Sequence, residues 1–241
     1  MFQKTKNFIM NLFENLSEKV LKISCDVGGP LLALDTSTSS VGLALVCAKR
    51  NICISQTMPS SMQVSERMLP ALQVLLQDNH VTVSELKALC VGLGPGSFTG
   101  LRVGLAAVKG LAYGASVPVV GVSSMAVAAA SVGTRSINKP VAVILNARCD
   151  EAYVAMYRFD VSGSATCLYE ETVVSWPLEA SHAFSKLICD HACVVVSEFE
   201  NTLPVLVPTQ IVLLAQEALL QKNYLDVETF VPLYGKDIMR A

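Results

Sequence analysis

Residues 89–114 read LCVGLGPGSFTGLRVGLAAVKGLAYG, and the fold turns on how this stretch is understood. A short, continuously apolar run ends in a loop holding Gly92, Gly94, Pro95 and Gly96, after which the chain resumes with Gly100 and Gly104. The apolar run reads as an inner strand and the continuation as a helix over about 98–113. A loop between strand and helix can cradle a phosphate on the helix's N-terminal amides. Against that, Pro95 removes one donor, no Lys-Ser or Lys-Thr follows at P-loop spacing, and the glycines do not fall as G-x-G-x-x-G. A tight turn needing glycine's backbone freedom is the simpler account of the loop. Gly100 and Gly104 lie four apart and share a helix face with Ala107 and Leu111. Each glycine there costs up to about 1 kcal/mol against alanine, which close packing on a bare face offsets. The surface that approaches belongs either to this chain or to a partner.

Upstream, residues 31–58, LLALDTSTSSVGLALVCAKRNICISQTM, read as three strands joined by polar turns at 35–40 and 48–51. The next segment has apolar residues at 64, 68, 69, 72, 75 and 76, the spacing of a helix that Pro70 should distort. Thr82 to Glu85, TVSE, is a capping box. Downstream of the quoted stretch come a strand at 118–123 and a helix starting near Ser123 or Ser124, so strand, helix, strand, helix implies parallel crossovers. The polar run 133–140, GTRSINKP, is the natural boundary. Beyond it stand two strands, VAVILN and AYVAMYRF, then ATCLYEETVV, a helix near 178–188, the strand ACVVVS and a helix near 209–222. The expected organisation is an N-terminal extension over 1–30, a first lobe over 31–137 and a second over 138–241.

The formal net charge of −2 provides no basic field to neutralise nucleic-acid phosphates, so any RNA must be held by another subunit. The eight cysteines occur without a C-x-x-C and mostly in apolar, strand-like settings, as buried reduced thiols do. The segment CDHAC places Cys189, His191 and Cys193 in alternation, on one face if it is a strand, yet a zinc site lacks a fourth ligand. The longest charge-free stretch, 110–134, is long enough to cross a bilayer. Its Gly114, Ser116, Pro118, Gly121, Ser123 and Ser124 mark instead a helix end, a short strand and a new helix start, so no membrane is expected. Residues 1–30 carry an amphipathic pattern at 8, 9, 12, 13, 16 and 20, without a signal-peptide core. They read as a surface-packed extension or an upstream start, with Met10 an alternative first residue, or else as a docking or membrane-surface helix.

Asp35, followed by Thr36 and Ser37, stands where the first strand turns. A carboxylate there can carry a magnesium-bound phosphate, and Asp, Ser and Thr are equally what a hairpin turn uses. Among catalytic signatures the chain offers little. Its three histidines form no H-E-x-x-H, and it has no G-x-S-x-G elbow.

These motifs together resemble the bacterial TsaB (YeaZ) family of tRNA threonylcarbamoyladenosine biosynthesis. The resemblance rests on LLALDTSTSSVGLAL, SERMLPALQVLL and VGLGPGSFTGLRVGLAAVKGLAYGASVPVVGVSSM, in order and spacing across most of 31–126, and more weakly on ILNARCDEAYVAMY and on PLY at 232–234. It implies an α/β, actin/Hsp70-like (ASKHA) two-lobed fold with mixed sheets flanked by helices. It also implies a cytoplasmic, noncatalytic scaffold that heterodimerises with a TsaD-like catalytic subunit and enables threonylcarbamoyl transfer to adenosine 37 of tRNA. A TsaE-like ATPase is the expected third partner, tRNA is met only through the complex, and the same helices make a homodimer when the partner is missing. The implied partner interface comprises Ser65, Glu66, Leu69, Leu72, Gly100, Gly104, Ala107 and Leu111. No metal and no tightly bound cofactor is expected. Weak ATP or ADP with magnesium comes mainly through partner subunits, with Asp35, Thr36 and Ser37 as this chain's candidate contacts. Val64 where the family has His, Asn146 where it has Asp, and VSEFEN at 196–201 depart from the pattern. The competing expectation is an independent ATP-binding phosphotransferase or glycopeptidase-like enzyme of the same fold.

Overall fold

Apolar runs bounded by polar turns become two sheets, each begun by an antiparallel meander and extended by parallel strands. In this computed structural model residues 16–59, 64–133, 139–160, 163–179, 181–191, 193–199, 202 and 207–233 are described. The first sheet holds β1 (Leu31–Asp35), β2 (Ser40–Cys47), β3 (Ile52–Pro59), β4 (Ala88–Gly92) and β5 (Val119–Val122) in the order β3-β2-β1-β4-β5. Strands β1 to β3 pair antiparallel, while β4 and β5 add in parallel beside β1. The second sheet repeats the plan with β6 (Val141–Arg148), β7 (Glu151–Phe159), β8 (Ala165–Ser175) and β9 (Val194–Ser197), ordered β8-β7-β6-β9 with β9 parallel to β6. Parallel neighbours need crossovers, which helices α2 (Val64–Asp78), α3 (Phe98–Ala115) and α5 (Ala183–His191) supply.

Alternation along the strands sends side chains to both sides of each sheet. Leu31 and Ala33 join a core between the sheets, whereas Leu32 and Leu34 pack under α2 and α3. In the second sheet Val141 and Val143 face the shared core, and Ala142 and Ile144 meet Phe184 of α5. The layer between the sheets contains α1 over residues 16–27, α4 (Ser124–Gly133), α6 (Thr209–Leu214) and α7 (Gln216–Gln221). Helix α4 buries Val127, Ala128, Ala129 and Ala130 in succession, as a helix enclosed on all sides must. This is the two-lobed α/β architecture of mixed sheets flanked by helices that the resemblance implies.

Several expectations need correcting. Helix α2 runs through Pro70, the seventh of its fifteen residues and exposed to solvent, with the loss of one backbone hydrogen bond. The C-terminal helix is two short ones that meet at Ala215. Within 207–233 the chain returns to the first sheet: α6 packs on β1 and β4, Leu225 bridges to Val119, and Phe230 enters the core under α2 and α3. Described residues of this C-terminal segment thus pack on the first lobe's sheet as well as on the shared core. At the other end, α1 is part of the interior. Val20 and Ile23 lie in the shared core, and the Ser24 hydroxyl donates to the Gly29 carbonyl (2.8 Å) while accepting from the Ala48 amide (3.1 Å). The remainder of the extension, residues 1–15, and the boundary segment 134–138 fall outside the described residues.

Cys189 and His191 sit on helix α5, so their two-residue spacing puts them on opposing sides rather than one face. Among the described residues no group of His, Cys, Asp and Glu is placed to hold a metal. All eight cysteines are free, and only Cys47 and Cys90 are buried; Cys25, Cys149, Cys167 and Cys189 are exposed, against the expectation of mostly interior thiols. Among the described residues no helix is long and apolar enough to cross a membrane.

Candidate functional site

The turn after β1 is held by a dense set of internal hydrogen bonds and close backbone contacts. Asp35, Thr36 and Ser37 are all buried. The Asp35 carboxylate accepts from the Ser37 amide (2.7 Å) and Ser37 hydroxyl (2.6 Å) through Oδ1, and from the Ser124 hydroxyl (2.8 Å) through Oδ2. Burial pushes its pKa up from the ordinary 3.8, against the lowering by those three hydrogen bonds. Ser124 Oγ also accepts from the Gly94 amide (3.1 Å), so the start of α4, the glycine loop and β1 meet at one hydroxyl.

Four glycines surround this turn. A Cβ on Gly92 would fall 1.8 Å from Asp35 Oδ2, one on Gly96 2.3 Å from the Ser37 carbonyl oxygen, one on Gly100 2.1 Å from the Thr36 carbonyl oxygen, and one on Gly104 2.2 Å from Thr36 Oγ1. The Ser97 amide donates to the Ser37 carbonyl (2.6 Å), and Ser97 then caps α3 by accepting from the Gly100 amide (3.2 Å). Gly94, at φ +105°, makes the turn that brings the loop back. The glycine motif is thus a socket for the Asp35 turn. It is neither a phosphate cradle nor, at Gly100 and Gly104, an outward face.

That finding bears on the nucleotide that the fold family implies. A magnesium-nucleotide needs accessible oxygens and free amides. Here both carboxylate oxygens of Asp35 are engaged within the chain, and Thr36 and Ser37 are covered by α3 and the glycine loop. The residues present do not fit the group.

The accessible surface lies on the other sides of the same helices. On α2, Leu69 is 45% and Val74 54% exposed; on α3, Phe98 is 52% and Tyr113 79% exposed. Arg102 lies over the Phe98 ring, 4.3 Å from its centroid. Among the described residues a Cβ on Gly110 or Gly114 would meet nothing within 4 Å, so with exposed Ala106 they make a second small-residue stripe that faces outward.

A family model described as "TsaD: tRNA N6-adenosine threonylcarbamoyltransferase" matches residues 51–174, slightly more than half of the 241-residue chain. The tRNA threonylcarbamoyladenosine biosynthesis protein TsaB of Escherichia coli K12 is 33% identical over 138 residues, 55% of this chain and 57% of that protein. The protein of the same name from Bacillus subtilis 168 is 32% identical over 130 residues, 54% of this chain and 55% of its own length. The solved structure of YeaZ from Pseudomonas aeruginosa superposes with a TM-score of 0.67 at 27% identity, covering 86% of this chain and 99% of that one. The chain belongs to this family, on its TsaB (YeaZ) branch. It spans about half the length of the curated relatives it matches.

In this TsaB-family chain the expected interface residues divide by burial. Glu66 and Leu69 are exposed, Ala107 and Leu111 are half-buried against the core, and Ser65 lies on α2. Leu72 belongs to the core under the helices, and Gly100 and Gly104 are filled by Thr36, which corrects their assignment to a partner face. Val74, Phe98 and Tyr113, exposed on the same two helices, are not among the expected residues. Their signal in the sequence is an apolar residue off the helical stripe, at 74 on α2 and at 98 and 113 on either end of α3.

Proposed function

We propose that this chain is a noncatalytic subunit in formation of threonylcarbamoyladenosine at position 37 of tRNA, and that it acts by pairing with a TsaD-like catalytic subunit through α2 and α3. The observation that carries this reading is a contrast on one helix pair: the polar turn that would hold a phosphate is sealed from within, while Leu69, Val74, Phe98 and Tyr113 stand in solvent on adjacent helices. Aromatic and Arg side chains at the centre of a desolvated patch carry most of the energy of a typical interface. The outward Ala106, Gly110 and Gly114 let a partner helix come close. With a formal net charge of −2, tRNA is bound by the assembly rather than by this subunit. A TsaE-like ATPase joins as third partner, and a second copy of the chain takes the α2–α3 face when the catalytic subunit is missing.

The test is light scattering after size-exclusion chromatography with the TsaD-type protein of the same organism. The wild type is expected to form a stable complex. A Val74→Asp, Tyr113→Asp double variant is expected to keep its melting temperature and lose at least about tenfold in affinity, about 1.4 kcal/mol. Cells depleted of the protein lose the modified nucleoside, and only the wild type restores it. Magnesium-dependent ATP turnover by the isolated chain, abolished by Asp35→Asn, would overturn this reading for the phosphotransferase one.

A further inference from the structure

Next to Ser124, which holds Asp35, stands Ser123, which holds a second carboxylate from the other sheet. Ser123 Oγ accepts from the amides of Met125 (3.1 Å) and Ala126 (3.2 Å), closing the first turn of α4, and donates its proton to Glu171 Oε1. The Tyr157 hydroxyl donates to the same oxygen. Ser123 follows β5 of the first sheet, whereas Tyr157 and Glu171 belong to β7 and β8 of the second. One carboxylate therefore ties the two sheets together, and it does so at a helix N-terminus, where negative charge is favoured.

The backbone is shaped to deliver Glu171 there. Pairing of β7 with β8 slips between Val154↔Thr172 and Met156↔Tyr169, so two residues of β8 stand opposite one of β7. On a regular strand Glu171 and Tyr169 would share a face. The bulge separates them: Tyr169 packs on Phe184 in the outer core, 5.0 Å between ring centroids, and Glu171 turns to the inner side. Bulges re-aim side chains in this way. Tyr157 is buried, and its burial and the facing Glu171 push its pKa well up, so it stays a hydroxyl donor at any physiological pH.

We propose that Glu171 is an inter-lobe latch whose state is transmitted, through the paired serines at the start of α4, to the glycine loop and α3. The route is continuous. Glu171 fixes Ser123; the next residue, Ser124, donates to Asp35, accepts from the Gly94 amide, and donates its own amide to the Gly94 carbonyl (2.9 Å). Asp35 and Thr36 in turn seat the glycine loop and the inward face of α3. Releasing Glu171 frees Ser123 to rotate, loosens the first turn of α4 and so weakens the grip on Gly94, some distance from residue 171 along the path. This inference stands on the internal hydrogen bonds and is independent of which protein, if any, docks on α2 and α3.

Hydrogen exchange read by mass spectrometry on the full chain tests it. In Glu171→Ala, amides in 92–104 are expected to exchange at least tenfold faster than in the wild type, together with those of 123–127. Glu171→Gln, whose amide oxygen still accepts from both hydroxyls, restores protection, and Glu171→Asp, one methylene short, does not. Tyr157→Phe removes one of the two donors and gives the same pattern, weaker. Should Glu171→Ala fail to fold, the Asp and Phe variants carry the test. Faster exchange confined to 123–127 and 155–173, with 92–104 unchanged, would overturn the latch, as would equal behaviour of the Gln and Asp variants.

Discussion

Helix α3 carries two sets of small residues, and they have different fates. Gly100 and Gly104 face inward, where the Thr36 backbone and side chain fill the space a methyl would need. Ala106, Gly110 and Gly114 face outward, and among the described residues nothing comes within 4 Å of where a Cβ of either glycine would be. Each glycine disfavours the helix by up to about 1 kcal/mol relative to alanine. Inside, packing of the Asp35 turn offsets that penalty. Outside, no described residue does, which supports the reading that a partner helix approaches there. Spacing along a helix identifies a bare face, and only the neighbouring segment says whose surface covers it.

The sharpest way to break this comparison is to fill both sides. Gly104→Leu is expected to cost about 3 kcal/mol or prevent folding, because the buried Thr36 side chain would have to move to admit it. Urea titration checks this, and a variant of wild-type stability would show that the inward stripe is not a socket. The opposite substitution, Gly110→Leu, is expected to leave urea stability within about 1 kcal/mol of the wild type, as exposed helix changes do.

Removing what the socket holds comes next in size. Asp35→Ala leaves the Ser37 amide, Ser37 hydroxyl and Ser124 hydroxyl without their acceptor, for a loss of about 2–4 kcal/mol. The pH dependence follows from the direction of the shift. Since burial raises the folded-state pKa above the unfolded value, near 3.8, Asp35 favours the fold most when protonated. Its contribution is complete below the unfolded value and lost as pH rises through the raised folded one. Asp35→Asn cannot ionise, so its melting temperature should fall less than that of the wild type over this rise in pH.

Gly110→Ala is a smaller and opposite effect: it should stabilise the chain by about 0.5–1 kcal/mol, measured by the same titration. The smallest concerns the capping box behind α2. The Glu85 carboxylate accepts from the Thr82 amide (2.7 Å) and Thr82 hydroxyl (2.9 Å) and pairs with Arg50 (2.6 Å). Those contacts, the Thr82 amide first, lower its pKa from 4.5 to about 2. A lowered acid stabilises the fold above its unfolded pKa and loses that contribution as pH falls from about 4.5 toward about 2. Glu85→Gln should therefore show a slightly shallower drop in melting temperature than the wild type across that interval.

The first lobe was largely legible because its signals are local. Strands β1 to β5, the capping box and α3 each follow from apolar runs and turn residues within a dozen positions. The partner of the glycine loop was not legible, although both halves of the contact, DTS at 35–37 and the glycines at 92, 96, 100 and 104, stand out in the sequence. Pattern reveals that a surface is bare, and the parallel placement of β4 beside β1 is what brings Gly92 alongside Asp35. Glu171 was invisible for a related reason: a bulge breaks the two-residue alternation on which a reading of strand faces depends. The CDHAC segment failed because three apparent strand residues include the last turn of a helix, and helix and strand periods send the same letters to different faces.

The return of the C-terminal segment to the first sheet has a consequence for how the protein is made. Leu225 pairs with Val119, and Phe230 lies beneath α2 and α3, more than a hundred positions after the strand it flanks. At roughly 5–20 residues per second of synthesis, the nascent first sheet waits about 5–20 s with its β5 edge and part of its core uncovered. During that interval the early half of the chain is a client for whatever in the cell shields unfinished surfaces, until the segment holding Leu225 and Phe230 emerges and completes the first lobe.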